Sequence, residues 1–180
     1  MWARLCLVLG LLWPGILAAD DWQAFDTPGA FAVMRHALAP GTGDPAGFDV
    51  ADCATQRNLD ARGRAQAARI GAAFRDRDIA FDRVLSSQWC RCLDTARLLD
   101  LGPVEEVPAL NSFFGNFSAR ERRTEAALAR LDAAEGRVFV VSHQVNIRAL
   151  TGRTTRSGEV LVVRRRAEGL EVLGSVLLDP

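Results

Sequence analysis

The chain has only two histidines, and each closes an apolar run: His36 ends AFAVMRH and His143 ends RVFVVSH. Short apolar runs rich in valine and preceded by glycine, here Gly29 and Gly136, read as buried strands that deliver their last side chains at the carboxyl end. Open α/β sheets place their ligands beyond that end. A fold that satisfies both runs therefore gathers Arg35, His36 and His143 at one cleft, and that requirement constrains the chain more than any other stretch.

The remaining segments alternate in the same sense. Asp60 caps a predicted helix to about Arg75, in which Gly63, Ala67, Ile70 and Phe74 make one narrow face whose small residues permit close packing. FDRVLSS gives a second strand, after which Ser87 is placed to cap a helix through Leu99. VEEV is a third strand candidate, followed by the loop PALNSFFGNF; Ser118 then opens a charged helix to Glu135, stopped by Gly136. HQVNIRALTG reads as the helix after RVFVVSH, and EVLVVRRR with LEVLGSVLL form a hairpin or edge pair about Glu168 and Gly169. The expectation is an α/β three-layer sandwich with a mainly parallel central sheet, helices on both faces and the last strands at or near an edge. From Ala37 to Asn58 the chain has neither helical nor strand period, and a loop of that length is commonly functional.

A chain of 180 residues, 49% of them hydrophobic, fits one domain with an ordinary core. Its 22 basic and 22 acidic residues cancel, so net charge gives no case for nucleic acid or an anionic membrane as partner. The N-terminus, MWARLCLVLGLLWPGILAADDW, carries a positive charge at Arg4, an apolar run from Leu5 to Leu17 and small residues at Ala18 and Ala19, the layout of a secretory signal peptide. That run is shorter than the ~18 residues of a membrane span, and Pro14 and Gly15 interrupt it. The expected organisation is a signal peptide over residues 1–19 and one domain over 20–180, periplasmic or secreted, with no transmembrane span once the signal is removed.

Outside the cytosol thiols can pair, and Cys53, Cys90 and Cys92 allow at most one internal bond. In the helix after VLSS, Cys92, Ala96 and Leu99 share an apolar face, whereas Cys90, Asp94 and Arg97 share the opposite one. Cys92 then belongs to the core, while Cys90 faces outward where the long loop must pass, so Cys53 to Cys90 is the expected disulfide. Cys-x-Cys without a second close pair does not match a structural zinc site, and neither metal nor cofactor is expected. The run Arg164, Arg165 and Arg166 reads first as a solvated hairpin end, the alternative being a basic patch for an anionic glycan or lipid headgroup.

Arg91, in the first turn of that helix, brings a second guanidinium to the cleft. Two imidazoles and two guanidiniums beside helix N-termini suit an anion with several oxygens, phosphate above all. A histidine there can attack phosphorus to give a phosphohistidine that water later cleaves, with the arginines stabilising the oxygens.

Four blocks carry a family resemblance. Met34-Arg35-His36 resembles the RHG motif of the histidine phosphatase superfamily, whose fold is phosphoglycerate mutase-like, and LDARGRAQA resembles its LTxxGxxQA helix start. SSQWCRCLDTA resembles the SSPLxRAxQTA segment, and VVSHQVNIRALTG resembles VVSHGGVIRALLG, so the likeness runs in family order from Phe31 to Gly152. It implies a metal-independent phosphomonoesterase in which His36 is the nucleophile and Arg35, Arg91 and His143 bind the phosphoryl group. Arg57, in RNLD, resembles the arginine of an RPLT segment in bacterial phosphohistidine phosphatases and is a further phosphate-binding candidate.

Three positions depart from the pattern. Ala37 replaces a glycine; Gln144 and Asn146 replace small residues and add amides within reach of phosphate or substrate. ALNSFF, with Asn111 and Ser112, stands where many members carry a glutamate that protonates the leaving group. Asp52 and Asp44 of the long loop are candidate donors in its place. The alternatives are a substrate with a good leaving group, or a module without turnover that binds a phosphorylated glycan or lipid headgroup. The implied partner is a small phosphorylated substrate, and similarity to exported members points to a cell-envelope sugar phosphate.

Overall fold

The computed structural model describes residues 21–178, so the signal-like segment at 1–19 lies outside the described residues. Its strands are β1 (Ala30–Arg35), β2 (Arg83–Ser86), β3 (Val104–Glu106), β4 (Val138–Ser142), β5 (Val160–Arg165) and β6 (Leu170–Val176). They form one sheet in the order β3-β2-β4-β1-β5-β6. The pairs β3/β2, β2/β4 and β4/β1 are parallel, while β1/β5 and β5/β6 are antiparallel, which puts the C-terminal hairpin at one edge as its sequence implied.

Strand β4 lies inside the sheet and is buried on both faces, which is why VFVV is apolar throughout and not alternating. Its side chains divide by parity: Phe139 and Val141 enter the core beneath helices α1 (Ala61–Arg75) and α2 (Cys90–Leu99). Val138 and Val140 enter the core beneath helices α3 (Arg120–Asp132) and α4 (Gln144–Thr151). The result is the expected three-layer sandwich. In the first core Phe74 of α1 meets Phe25, Phe81 and Phe139 edge-on at centroid distances of 5.3, 5.4 and 5.4 Å. Full burial of such a ring contributes about 2–3 kcal/mol.

The narrow face of α1 works through two glycines. A Cβ at Gly63 would lie 1.9 Å from the Leu38 carbonyl oxygen, and one at Gly71 would lie 1.8 Å from that of Leu99. Only glycine lets this helix lie directly on the backbone that follows His36 and on the end of α2.

Three expected boundaries shift. Helix α2 starts at Cys90 after Trp89, not at a Ser87 cap, because the Ser87 hydroxyl is engaged with His143 and Asn111. Helix α3 spans Arg120–Asp132 after a short 3-10 turn, Phe117–Ala119, since the Ser118 hydroxyl donates to Asn116 Oδ1 and caps nothing. Cys90 is buried rather than outward-facing because the long loop lies over it: Gln56 Oε1 accepts from the Cys90 N–H at 3.0 Å. The Cys53–Cys90 disulfide is present, with Cα atoms 5.6 Å apart, and Cys92 is free and buried. Among the described residues no helix is long and apolar enough to cross a membrane.

Candidate active site

The two histidines meet because of strand register. In the parallel pair β1/β4, Arg35 lies opposite Ser142, and the His36 N–H donates to the Ser142 carbonyl at 3.0 Å. His36 and His143 therefore leave adjacent strands at the same level, their ring centroids 5.6 Å apart. On the other side of β4, Ser87 continues β2 and α2 begins three residues later, which carries Arg91 to the same end of the sheet.

Hydrogen bonding decides what each ring offers. His36 Nδ1 lies 2.8 Å from the Ala37 carbonyl, which can only accept, so the proton sits on Nδ1 and the Nε2 lone pair is free. Among the described residues nothing bonds that Nε2. His143 Nδ1 faces Arg91 Nη2 at 3.5 Å, and a guanidinium can only donate, so its proton sits on Nε2 and goes to Ser87 Oγ at 2.9 Å. The Ser87 hydroxyl in turn donates to Asn111 Oδ1 at 3.2 Å. Burial, followed by the charge of Arg91, holds the His36 pKa well below its ordinary value. Burial, then His36 and Arg91, do the same to His143. Both rings are neutral at pH 7.

The arginines surround them with donors. Arg35 Nη1 donates to Gln144 Oε1 at 3.2 Å and to the Thr155 carbonyl at 3.3 Å, while its Nε is buried without a partner. Arg91 grips Asp44 through Nη1 at 2.7 Å and Nη2 at 3.2 Å, and its Nε is likewise buried and unpartnered. Arg57 turns its Nε and Nη1 to the Gly43 and Ala39 carbonyls, so it braces the long loop. A buried donor without an acceptor costs about 1–3 kcal/mol, and two on residues that line the same cleft as a free imidazole nitrogen suit an anion's oxygens.

Asp44 is the carboxylate of this site. It also accepts from the Trp89 indole N–H at 3.0 Å and from the Arg57 backbone N–H at 3.1 Å. Burial works against its ionised form, but the bonds from Arg91 and from the Arg57 backbone outweigh burial and hold the pKa below its ordinary value. A carboxyl so held is ionised near neutrality and has no proton to give, which corrects the expectation of Asp44 as proton donor. Asp52 is elsewhere: it caps the short turn Cys53–Thr55 by accepting from the Ala54 N–H and does not line the cleft. The cleft encloses about 560 Å³ and brings together Arg35, His36, Asp44, Arg57, Arg91 and His143.

The sequence comparison agrees with this geometry. The family model of the histidine phosphatase superfamily (branch 1) matches residues 34–121, which contain Arg35, His36, Arg57 and Arg91. Over those residues, just under half of the chain, the sequence is similar to the histidine phosphatase superfamily. No curated protein matches it in sequence. Solved structures that share the superfamily fold include the alpha-ribazole phosphatase from Shigella flexneri, 22% identical, covering 84% of this chain and 100% of that one, with a TM-score of 0.60. Phosphoglycerate mutase from Thermus thermophilus is 18% identical over 83% of this chain and 99% of that one, TM-score 0.59. The protein histidine phosphatase SixA complexed with tungstate is 19% identical over 82% and 96%, TM-score 0.56. At these identities the likeness is one of fold.

Against the superfamily pattern, Ala37 is harmless: among the described non-glycine residues only Asp78 and Asp100 have positive φ. Gln144 lines the cleft and orients Arg35, whereas Asn146 is buried behind it, donating to the Asn111 carbonyl at 3.0 Å. Asn111 itself is structural, since its Oδ1 accepts from Ser87 Oγ and from the Gln88 N–H. Sequence reasoning missed the supports Ser87, Trp89 and Thr95, whose Oγ1 accepts from the Ala37 N–H at 3.0 Å. Thr95 stands one turn after Arg91 on α2, so helical spacing held that signal. Trp89 and Ser87 are named by contacts across 45 and 56 positions, and no local pattern reveals those. Cys92 is not chemical: burial pushes its thiol up to about 12, so it stays protonated in the core.

Proposed function

We propose that the protein is a phosphatase that hydrolyses a phosphomonoester through a phosphohistidine on His36, acting outside the cytosol. The observation that carries this reading is the free Nε2 of His36 in a cleft also lined by Arg35 and Arg91, whose buried guanidinium Nε groups have no partner. In the first step Nε2 attacks phosphorus, the P–N bond forms, the P–O bond to the alcohol breaks, and the leaving oxygen takes its proton from water in the open cleft. The Ala37 carbonyl accepts from Nδ1–H throughout and stabilises the positive ring of the phosphohistidine. Arg35, Arg91 and Arg57 oppose the charge on the phosphoryl oxygens, with His143 held in place by Ser87. In the second step water attacks phosphorus, the P–N bond breaks, and inorganic phosphate leaves with the Nε2 lone pair restored.

The tungstate bound by one fold neighbour, a tetrahedral oxyanion, supports the choice of phosphate. The location is supported by the Cys53–Cys90 disulfide and the signal-like N-terminus; recovery of the whole chain from the cytosolic fraction, signal-like segment attached, would overturn it. A second reading, binding without turnover, is favoured by the ionised state of Asp44, which leaves no carboxylic acid among the described residues that line the cleft. Mass spectrometry after mixing with small aryl phosphates separates the two. Turnover predicts a phosphoryl adduct on His36 and a fall of at least about 10³-fold in hydrolysis in His36→Ala. Hydrolysis that survives His36→Ala overturns the nucleophile; binding of phosphate with no adduct from any donor selects the binding-only reading.

A further inference from the structure

The phosphate end fills only part of the cleft. At about 560 Å³ the cavity is of the size that holds a whole small-molecule ligand, and the portion beyond the arginines has a chemistry of its own. One wall is aromatic. The Trp89 ring is fixed by its bond to Asp44, and Phe48 leans on it with centroids 5.6 Å apart. Phe114 completes the wall from the loop after β3, lying over Gly43 with its ring in the cleft and yet 57% exposed. A large apolar ring left open to water inside a cavity is a surface that a ligand stabilises by covering.

Helix α4 also lines the cleft. Gln144, which orients Arg35, is followed one turn later by Arg148, and both line the cleft. Arg148 is exposed and, among the described residues, its guanidinium has neither an ion pair nor a hydrogen bond. It is an unpaired positive group in the same cleft as the aromatic residues.

Resting on the phosphatase reading above, we propose that the site selects phosphate esters whose other half carries a ring with an apolar face and a second anionic group. The ring lies against Phe114 and Trp89, and the second anion reaches Arg148. An aromatic ring and the flat face of a pyranose share this chemistry, whereas an acyclic polyol phosphate offers neither feature.

Phosphonates test the proposal because they present the phosphoryl oxygens with no ester bond to break. Calorimetric titration of the wild type should give phenylphosphonate about three- to tenfold tighter binding than methylphosphonate. A carboxylate at the far end, in 4-carboxyphenylphosphonate, should add about two- to fivefold. Phe114→Ala should erase the advantage of phenyl over methyl, and Arg148→Ala should erase only the carboxylate's increment; both side chains are exposed, so both variants fold. A glucose-derived C-phosphonate in the same series reports whether the ring favoured is a sugar or an arene. Equal affinity for phenyl and methyl phosphonates, or advantages unaltered in the variants, overturns the inference and leaves the phosphate site standing. Failure of every phosphonate to bind removes the phosphate site and the inference with it.

Discussion

The molecule keeps arginines in two very different settings. At the end of the β5/β6 hairpin, Arg164 and Arg166 both bind Glu171, and Arg165 binds Asp132 at 2.6 Å. In the cleft, Arg35, Arg57 and Arg91 meet one carboxylate among the described residues, Asp44, which pairs with Arg91 alone, and two of the three have a buried Nε with no acceptor. Every arginine of the hairpin end has a carboxylate partner, and these ion pairs sit in water where such pairs contribute little. The cleft is incomplete: burial makes its unmatched donors costly, and an anion bound there would relieve them. Arginine content alone says nothing about function here; the ratio of guanidinium to carboxylate, weighted by burial, separates the two regions.

The largest effect should come from breaking that contrast directly. Arg91→Ala is expected to lower kcat/KM at least about 100-fold, the scale for losing an oxyanion donor. It also leaves Asp44 buried and unpaired, the Arg91–Asp44 side chains being only 4% and 8% exposed, which should cost about 3–5 kcal/mol in denaturant unfolding. Adding Asp44→Ala should restore part of the stability and none of the activity, because the orphaned charge is gone while the donor is still missing. Arg165→Ala, with its pair in water, should leave kcat/KM unaltered and shift the melting temperature by less than about 2 °C. Similar losses from Arg91→Ala and Arg165→Ala would erase the distinction between the two regions.

The disulfide sharpens it next. Cys53–Cys90 closes a separation of 37 residues, and that span contains both Arg57 and α1. Replacing both cysteines by alanine should lower stability by roughly 4 kcal/mol through loop-closure entropy. It should also raise KM several-fold, since the bond ties the loop carrying Asp44 and Arg57 to the first turn of α2, which carries Arg91. Reductant should act on the wild type in the same direction, and the hairpin, remote from the bond, should keep its amide-exchange protection. An unchanged KM after loss of the disulfide would mean that hydrogen bonds alone, such as Gln56 to Cys90, hold the loop.

Much of this was readable in the sequence because it depends on local pattern. The parity of VFVV, the glycines of α1, and the position of each histidine after a strand are all short-range features, and the meeting of His36 with His143 follows from them once two parallel strands are neighbours. The opposed faces of α2 also gave the disulfide correctly, although Cys90 is buried because a loop covers it, which no helical wheel contains. What was not readable lies across long separations. Asp44 could be nominated as a residue of the long loop, but its ionised state depends on Arg91 and Trp89, distant in sequence and brought to it only by the folded loop. The Ser87 hydroxyl looked like a helix cap because caps are local, and its engagement with His143 prevails because a buried imidazole N–H needs an acceptor.

The smallest effect is the one that pH should show. In the cleft, burial and the surplus positive charge keep His36 and His143 neutral, whereas in the unfolded chain they titrate near their ordinary value of 6.5. Below that pH the unfolded state binds the extra protons, so stability is complete above about 6.5 and declines as pH falls, by up to about 1.4 kcal/mol per pH unit for each ring. The hairpin answers in another range: the bonds from Arg166 and then Arg164 hold Glu171 down to about 2, so its contribution is present above its ordinary 4.5 and is lost only as pH falls through about 2. Asp44 likewise responds only below its ordinary 3.8. The interval from pH 6.5 to 5 therefore isolates the histidines. Melting temperatures should fall across it in the wild type, fall about half as far in His36→Asn, and stay flat in His36→Asn/His143→Asn. A wild-type melting temperature that is level from pH 7 to 5 would mean that the rings accept protons in the folded cleft as readily as in water, and that the arginine surplus there is already neutralised.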